Sequence, residues 1–157
     1  MFIFHRRKID LNTKKDVEHY ISKHLAPCGS GINFNLPIQD ILEEQTETFS
    51  EYLIKLINDR NIQKYSEIYK PVSISRKVFN AVLNGQHPSR KTAISIAVGL
   101  KLTLKETQRL LETAGYILSC GSKEDLIIQY CIEKRKSPSE IDDIYNEFIG
   151  KSFFSLL

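Results

Sequence analysis

Apolar residues recur along this chain every three or four positions, and run after run opens on a side chain able to cap a helix. Thr103-Leu104-Lys105-Glu106 has the spacing of a capping box, in which the Thr hydroxyl and the Glu carboxylate each satisfy a backbone N–H. Ser137-Pro138-Ser139-Glu140 adds a proline at the first helical position. Strand-like alternation is scarce. A chain written this way folds as helices packed on helices, so the expected class is all-α.

The same signals divide the chain. A first helix is expected from Lys14 to Leu25, capped by Thr13. Pro27, Gly29 and Gly31 then mark a loop, and Pro37 opens a short helix reaching Glu44. Five helices follow: Phe49 to Arg60 behind Thr48, Lys64 to Lys70 before Pro71, Ser75 to Asn84 before Gly85, one opening at Ser89, and one from Thr103 that ends before Gly115. Ser122 and Ser137 open two more, the last ending at Gly150. The expected domains are an arm over 1–47, a five-helix unit over 48–118 and a helical extension over 119–157.

Charge follows the same division. Residues 48–120 hold 11 Lys+Arg and 5 Asp+Glu; residues 1–47 hold 6 and 7; residues 121–157 hold 5 and 7. A basic middle between acidic flanks fits a face for an anionic polymer on an otherwise ordinary body. No apolar run approaches the length of a membrane span, which predicts no membrane partner. The start, Phe2-Ile3-Phe4-His5-Arg6-Arg7-Lys8, puts charge after the apolar residues, the reverse of a secretory signal, so a cytoplasmic location is expected. Cys28, Cys120 and Cys131 have no metal-type spacing and read as packed small hydrophobes. His19 and His24 are five apart, off the four-residue spacing of paired helical zinc ligands. Glu43, Glu44 and Glu47 read as a solvated face. No metal, cofactor or convergent catalytic set is expected, and the chain reads as no enzyme.

The helix from Ser75 to Asn84 has two unlike sides. Val78, Val82 and Leu83 are suited to packing, whereas Ser75, Arg76, Lys77, Asn80 and Asn84 are donors of the kind that read base edges. Arg matches guanine, and Asn matches adenine. Lys64, Gln86, Ser89, Arg90 and Lys91 are the candidate phosphate contacts, the last three at a helix start.

The stretch Ser75-Arg76-Lys77-Val78-Phe79-Asn80-Ala81-Val82-Leu83-Asn84-Gly85-Gln86-His87-Pro88-Ser89, followed by Ala97 and Leu100, resembles the recognition-helix signature of lambda-repressor-like (Xre-type) helix-turn-helix regulators of bacteria. Phe49-Ser50-Glu51, Ser89-Arg90-Lys91-Thr92-Ala93, Ala114-Gly115-Tyr116 and Asp125-Leu126-Ile127-Ile128 extend the similarity to about Phe148. The resemblance implies a five-helix lambda-repressor-like core with added N- and C-terminal helices. It further implies a sequence-specific transcription regulator that binds double-stranded DNA as a homodimer. Three positions depart from the family pattern. Tyr69 replaces a small residue, and Ser73 and Lys101 replace glycines, which predicts an altered connection before the Ser75 helix. Tyr69 and the apolar tail favour an alternative, a protein-interaction adaptor on the same bundle. The apolar tail is expected to dock on its own fold or on a partner, and Phe153, Phe154, Leu156 and Leu157 are the candidate dimer or partner surface, since an exposed apolar terminus seeks cover.

Overall fold

The structure, a computed structural model, describes residues 8–25 and 47–154. Among these are eight helices and no strand. In chain order they are α1 (Leu11–His24), α2 (Phe49–Asp59), α3 (Ser66–Tyr69), α4 (Arg76–Leu83), α5 (Arg90–Gly99), α6 (Leu104–Thr113), α7 (Lys123–Glu133) and α8 (Pro138–Ile149). The helix expected from Pro37, the loop before it, Cys28, Glu43, Glu44, Leu156 and Leu157 lie outside the described residues.

Six expected caps form. The side chains of Thr48, Ser75, Ser89, Thr103, Ser122 and Ser137 each accept the N–H three residues on, and those at Thr48, Thr103 and Ser137 close full capping boxes. The first helix begins earlier than its sequence predicts. Asp10, not Thr13, is the cap, and its carboxylate accepts both the N–H and the hydroxyl of Thr13 at 2.8 and 2.9 Å. Helix α3 is shorter than expected, a single turn of four residues.

Two helices are buried nearly all round. In α5 every residue from Thr92 to Val98 is buried, and in α7 every residue from Asp125 to Ile132. The other helices pack around them: α3 and α6 on α5; α1, α6 and α8 on α7; α2 on α4 and α6. Leu53, Ile68, Phe79, Ile96, Leu110 and Ile127 form the centre of one continuous core.

Helices α3 and α5 approach closely. A Cβ added to Gly99 would collide with the backbone carbonyl of Ile68. The small residue absent from α3 is therefore supplied by α5, and Tyr69 instead packs its ring on Phe79, centroids 5.5 Å apart. The connection after α3 turns without a glycine. Ser73 adopts φ 58°, its N–H donates to Lys70, and the Ile74 N–H donates to the Tyr69 carbonyl. This is a Schellman stop, which needs a left-handed residue. Lys101 repeats it after α5 at φ 54°, with the Leu102 N–H on the Ala97 carbonyl. Asn61 and Arg135 do the same after α2 and α7.

Two stability outcomes follow. Gly99→Ala should cost about 1–3 kcal/mol, because neither backbone can move without shifting a whole helix. Thermal melts should show a loss of roughly 2–4 °C per kcal/mol, and an unchanged Tm would contradict the close approach. Ser73→Gly should stabilise by about 0.5–1 kcal/mol, the left-handed cost of a side chain less the entropy of a glycine. A lower midpoint in denaturant would contradict that geometry.

Candidate nucleic-acid interface

Ser75 leaves α4 with a fixed start: its hydroxyl oxygen accepts the Val78 N–H at 3.2 Å. Phe79 and Val82 anchor the inner side in the core. The other end is held from α2, where the Ser50 hydroxyl donates to the Leu83 carbonyl. At about 100° per residue, Arg76, Lys77, Asn80 and Asn84 fall within roughly one quadrant to a third of the helix circumference, turned away from Val82.

That face is open. Ser75, Arg76, Lys77 and Asn84 are exposed, and Asn80 is half-buried. Among the described residues no carboxylate lies within 4 Å of Arg76 or Lys77, whereas Arg60, Arg90 and Arg109 each have an acidic partner. Residues 61–89 contain Lys64, Lys70, Arg76 and Lys77 against Glu67 as the one acid. The α4 face therefore carries local positive potential that no ion pair cancels, the electrostatic condition for an anionic partner.

The five candidate phosphate residues separate on inspection. Lys64 and Gln86 are exposed. Ser89 is engaged as the α5 cap, its oxygen 3.2 Å from the Thr92 nitrogen. Lys91 is half-buried, with Nζ 6.0 Å over the Phe153 ring. Arg90 is withdrawn from the expected set. Its Nη2 donates to Asp125 Oδ1 at 2.6 Å and to the Ile117 carbonyl at 3.1 Å. Asp125 is buried and takes the Ser119 N–H on its other oxygen at 2.8 Å. This charge-assisted cluster ties the start of α5 to α7. His87, beside the same loop, bonds the Ala114 carbonyl through Nε2 at 2.9 Å and rests against Tyr116.

Of the two expectations for the apolar tail, the structure shows docking on its own fold, and the partner-surface reading of Phe153 and Phe154 is corrected. Phe153 and Phe154 are 8% and 7% exposed, so they are core rather than surface. Phe153 packs edge-on against Tyr145 and Phe154, at 5.0 Å in both cases. The tail is held by Asp142, whose carboxylate accepts the Ser152 hydroxyl at 2.7 Å and the N–H groups of Phe153 and Phe154 at 2.6 and 3.1 Å. The cysteine expectation divides. Cys131 is buried, and burial pushes its thiol up to about 12, but Cys120 is exposed. No group of three or more His, Cys, Asp or Glu able to hold a metal occurs among the described residues. No helix among them is long and apolar enough to cross a membrane.

Neither protein-family models, curated proteins nor solved structures give a match to this chain.

The sequence offered no sign of the Asp142 clasp, because its partners are one hydroxyl and two backbone N–H groups ten to twelve residues on. Asp142→Ala should cost about 1.5–3 kcal/mol, the range for bonds to a charged acceptor. Hydrogen exchange should accelerate at the Phe153 and Phe154 amides. Protection equal to that of the parent chain would show that packing alone retains the tail.

Proposed function

We propose that the chain is a sequence-specific DNA-binding regulator of the lambda-repressor-like helix-turn-helix kind, with α3 and α4 as the pair and α4 entering the major groove. The reading is supported above all by the exposed Arg76 and Lys77, uncancelled by acid, on a helix whose inner side is locked. A groove-entering helix needs that combination: rigid backing and long free donors toward base edges. Arg76, Lys77, Asn80 and Asn84 would meet bases, with Ser75 at the helix start. Lys64, Gln86 and the α5 start at Ser89 and Lys91 would meet phosphates.

The left-handed residue at Ser73 supports the same reading, since it retains the turn before α4 that the missing glycine put in question. A cytoplasmic location and pairing of two copies on a two-fold site belong to this proposal, with the pairing surface elsewhere than Phe153 and Phe154. The adaptor alternative loses both observations that motivated it, because Tyr69 packs on Phe79 and the described part of the tail is docked on its own fold.

Fluorescence anisotropy of the full chain on genomic duplex fragments, selected for the preferred site, tests the proposal. Affinity should fall linearly on a log–log plot against salt, as phosphate-bound counterions are released. Arg76→Ala should weaken the preferred site about 10- to 100-fold, equivalent to roughly 1–3 kcal/mol for one base contact. Lys64→Ala should lower the salt slope by about 1 and weaken all sequences alike. Absence of binding, or binding indifferent to salt and to charge reversal at Arg76 and Lys77, would overturn it.

A further inference from the structure

The C-terminal ends of α5 and α7 meet at a second basic surface. Lys101 and Arg135, the left-handed residues that stop these helices, stand at φ 54° and 53°. The Arg135 side chain bridges the two stops. Its Nη1 donates to the Lys101 carbonyl at 2.8 Å and reaches the Leu102 carbonyl at 3.5 Å. Lys101, Lys134 and Arg135 are all exposed. The surface lies past the end of α5, roughly 15 Å along that helix from the candidate phosphate contacts at its start. It shares no residue with α4.

These cations have no acid of their own. Among the described arginines, Arg60, Arg90 and Arg109 meet carboxylates, and Arg76 belongs to the α4 face. Arg135 is held instead by two neutral carbonyls. Among the described residues no carboxylate lies within 4 Å of it, of Lys101 or of Lys134. The Nη1 hydrogens serve the carbonyls, so the side of the guanidinium formed by Nε and Nη2 remains for a bidentate partner. The helix ends do not use up this charge. Each end carries about half a negative charge, so two balance roughly one of the three cations. The starts of α6 and α8 follow at Thr103 and Ser137, and their opposite partial charges offset even that.

The surface is also short. Lys136, next along the chain, is paired with Glu140 at 3.5 Å and acts on Asp10 at the start of α1, and Glu133 lies against Tyr20. Acids therefore bound it on the α1 and α8 sides. A duplex carries one negative charge per roughly 1.7 Å of axis and gains affinity with each phosphate neutralised. Three cations edged by carboxylates reward a polymer of that kind little and repel its continuation, whereas a short run of carboxylates matches them.

We infer that this surface docks a short acidic segment of a partner protein, one carboxylate on the Nε–Nη2 side of Arg135 and its neighbours on Lys101 and Lys134. The two carbonyls hold the guanidinium in place before any partner arrives, which lowers the ordering cost of binding.

The test is an NMR titration of the ¹⁵N-labelled full chain with a hexaglutamate peptide, with hexaglutamine and a short DNA duplex alongside. Saturable shifts should centre on the amides of Lys101, Leu102, Lys134 and Arg135, and hexaglutamine should produce none there. Lys101→Gln combined with Lys134→Gln, both at exposed positions, should weaken hexaglutamate about 3- to 10-fold, as expected for two surface ion pairs. Arg135→Lys, which retains charge and loses the fork, should weaken it about 3-fold or more. The lysine pair decides the matter if Arg135→Lys does not fold. Arg76→Ala combined with Lys77→Ala should leave hexaglutamate affinity unchanged. Shifts confined to α4, or affinity unchanged in the lysine pair or in a folded Arg135→Lys, would overturn the proposal. So would a duplex that gives the same shifts and the same sensitivity to the lysine pair, which would make nucleic acid the occupant.

Discussion

The approach of Gly99 to the Ile68 carbonyl governs the layout of this molecule. Helix α3 has four residues, too few to hold a position by its own backbone bonds. It is located by contact with α5, and that contact exists only because one residue of α5 has no side chain. From there the chain passes through Ser73 into α4, whose far end is held from α2 by the Ser50 hydroxyl on the Leu83 carbonyl. Phe79 then closes the arrangement, buried completely and flanked by Tyr65 and Tyr69. An exposed face on α4 is thus the last term of a sequence that begins deep in the core.

Most helix starts were legible, and helix ends were legible where a glycine or proline marks them, as at Gly85, Gly115, Gly150 and Pro71, for a physical reason. A start is announced by an oxygen-bearing side chain at one position, and Thr48, Ser89, Thr103 and Ser137 could be read directly. Asp10 was missed because Thr13 is also a competent cap, and here its hydroxyl serves as a donor to the true one. An end is usually announced by glycine. Four of the ends here use Asn61, Ser73, Lys101 and Arg135, where the residue type carries little signal and the backbone does the work. The short α3 departs from expectation mainly at its start, where Tyr65 makes no side-chain cap bond.

The candidate interface was partly legible. Arg76, Lys77 and Asn84 could be placed outward from helical spacing alone, because Phe79 and Val82 fix the inward side. Arg90 could not. Its distance of 35 residues from Asp125 hides the ion pair from any local pattern, and a first-turn arginine reads as a phosphate ligand until the partner is seen. The tail shows the same limit from the other direction. Phe153 and Phe154 look adhesive in sequence, but three donors to one carboxylate at Asp142 convert them into core. In each case a long-range contact reassigned residues whose types were correctly weighed.

The side-chain-bearing stops at Ser73 and Lys101 bear on mechanics as well as on shape. Glycine at a joint permits swivelling, because its backbone occupies both halves of conformational space with similar ease. A residue with a Cβ held at positive φ has few neighbouring states to visit, so the segments on either side turn as one. The corner that leads into α4 is therefore stiff, whereas the one that leaves it turns at Gly85, φ 96°. Stiffness on that side lowers the ordering cost of any contact made through the α4 face.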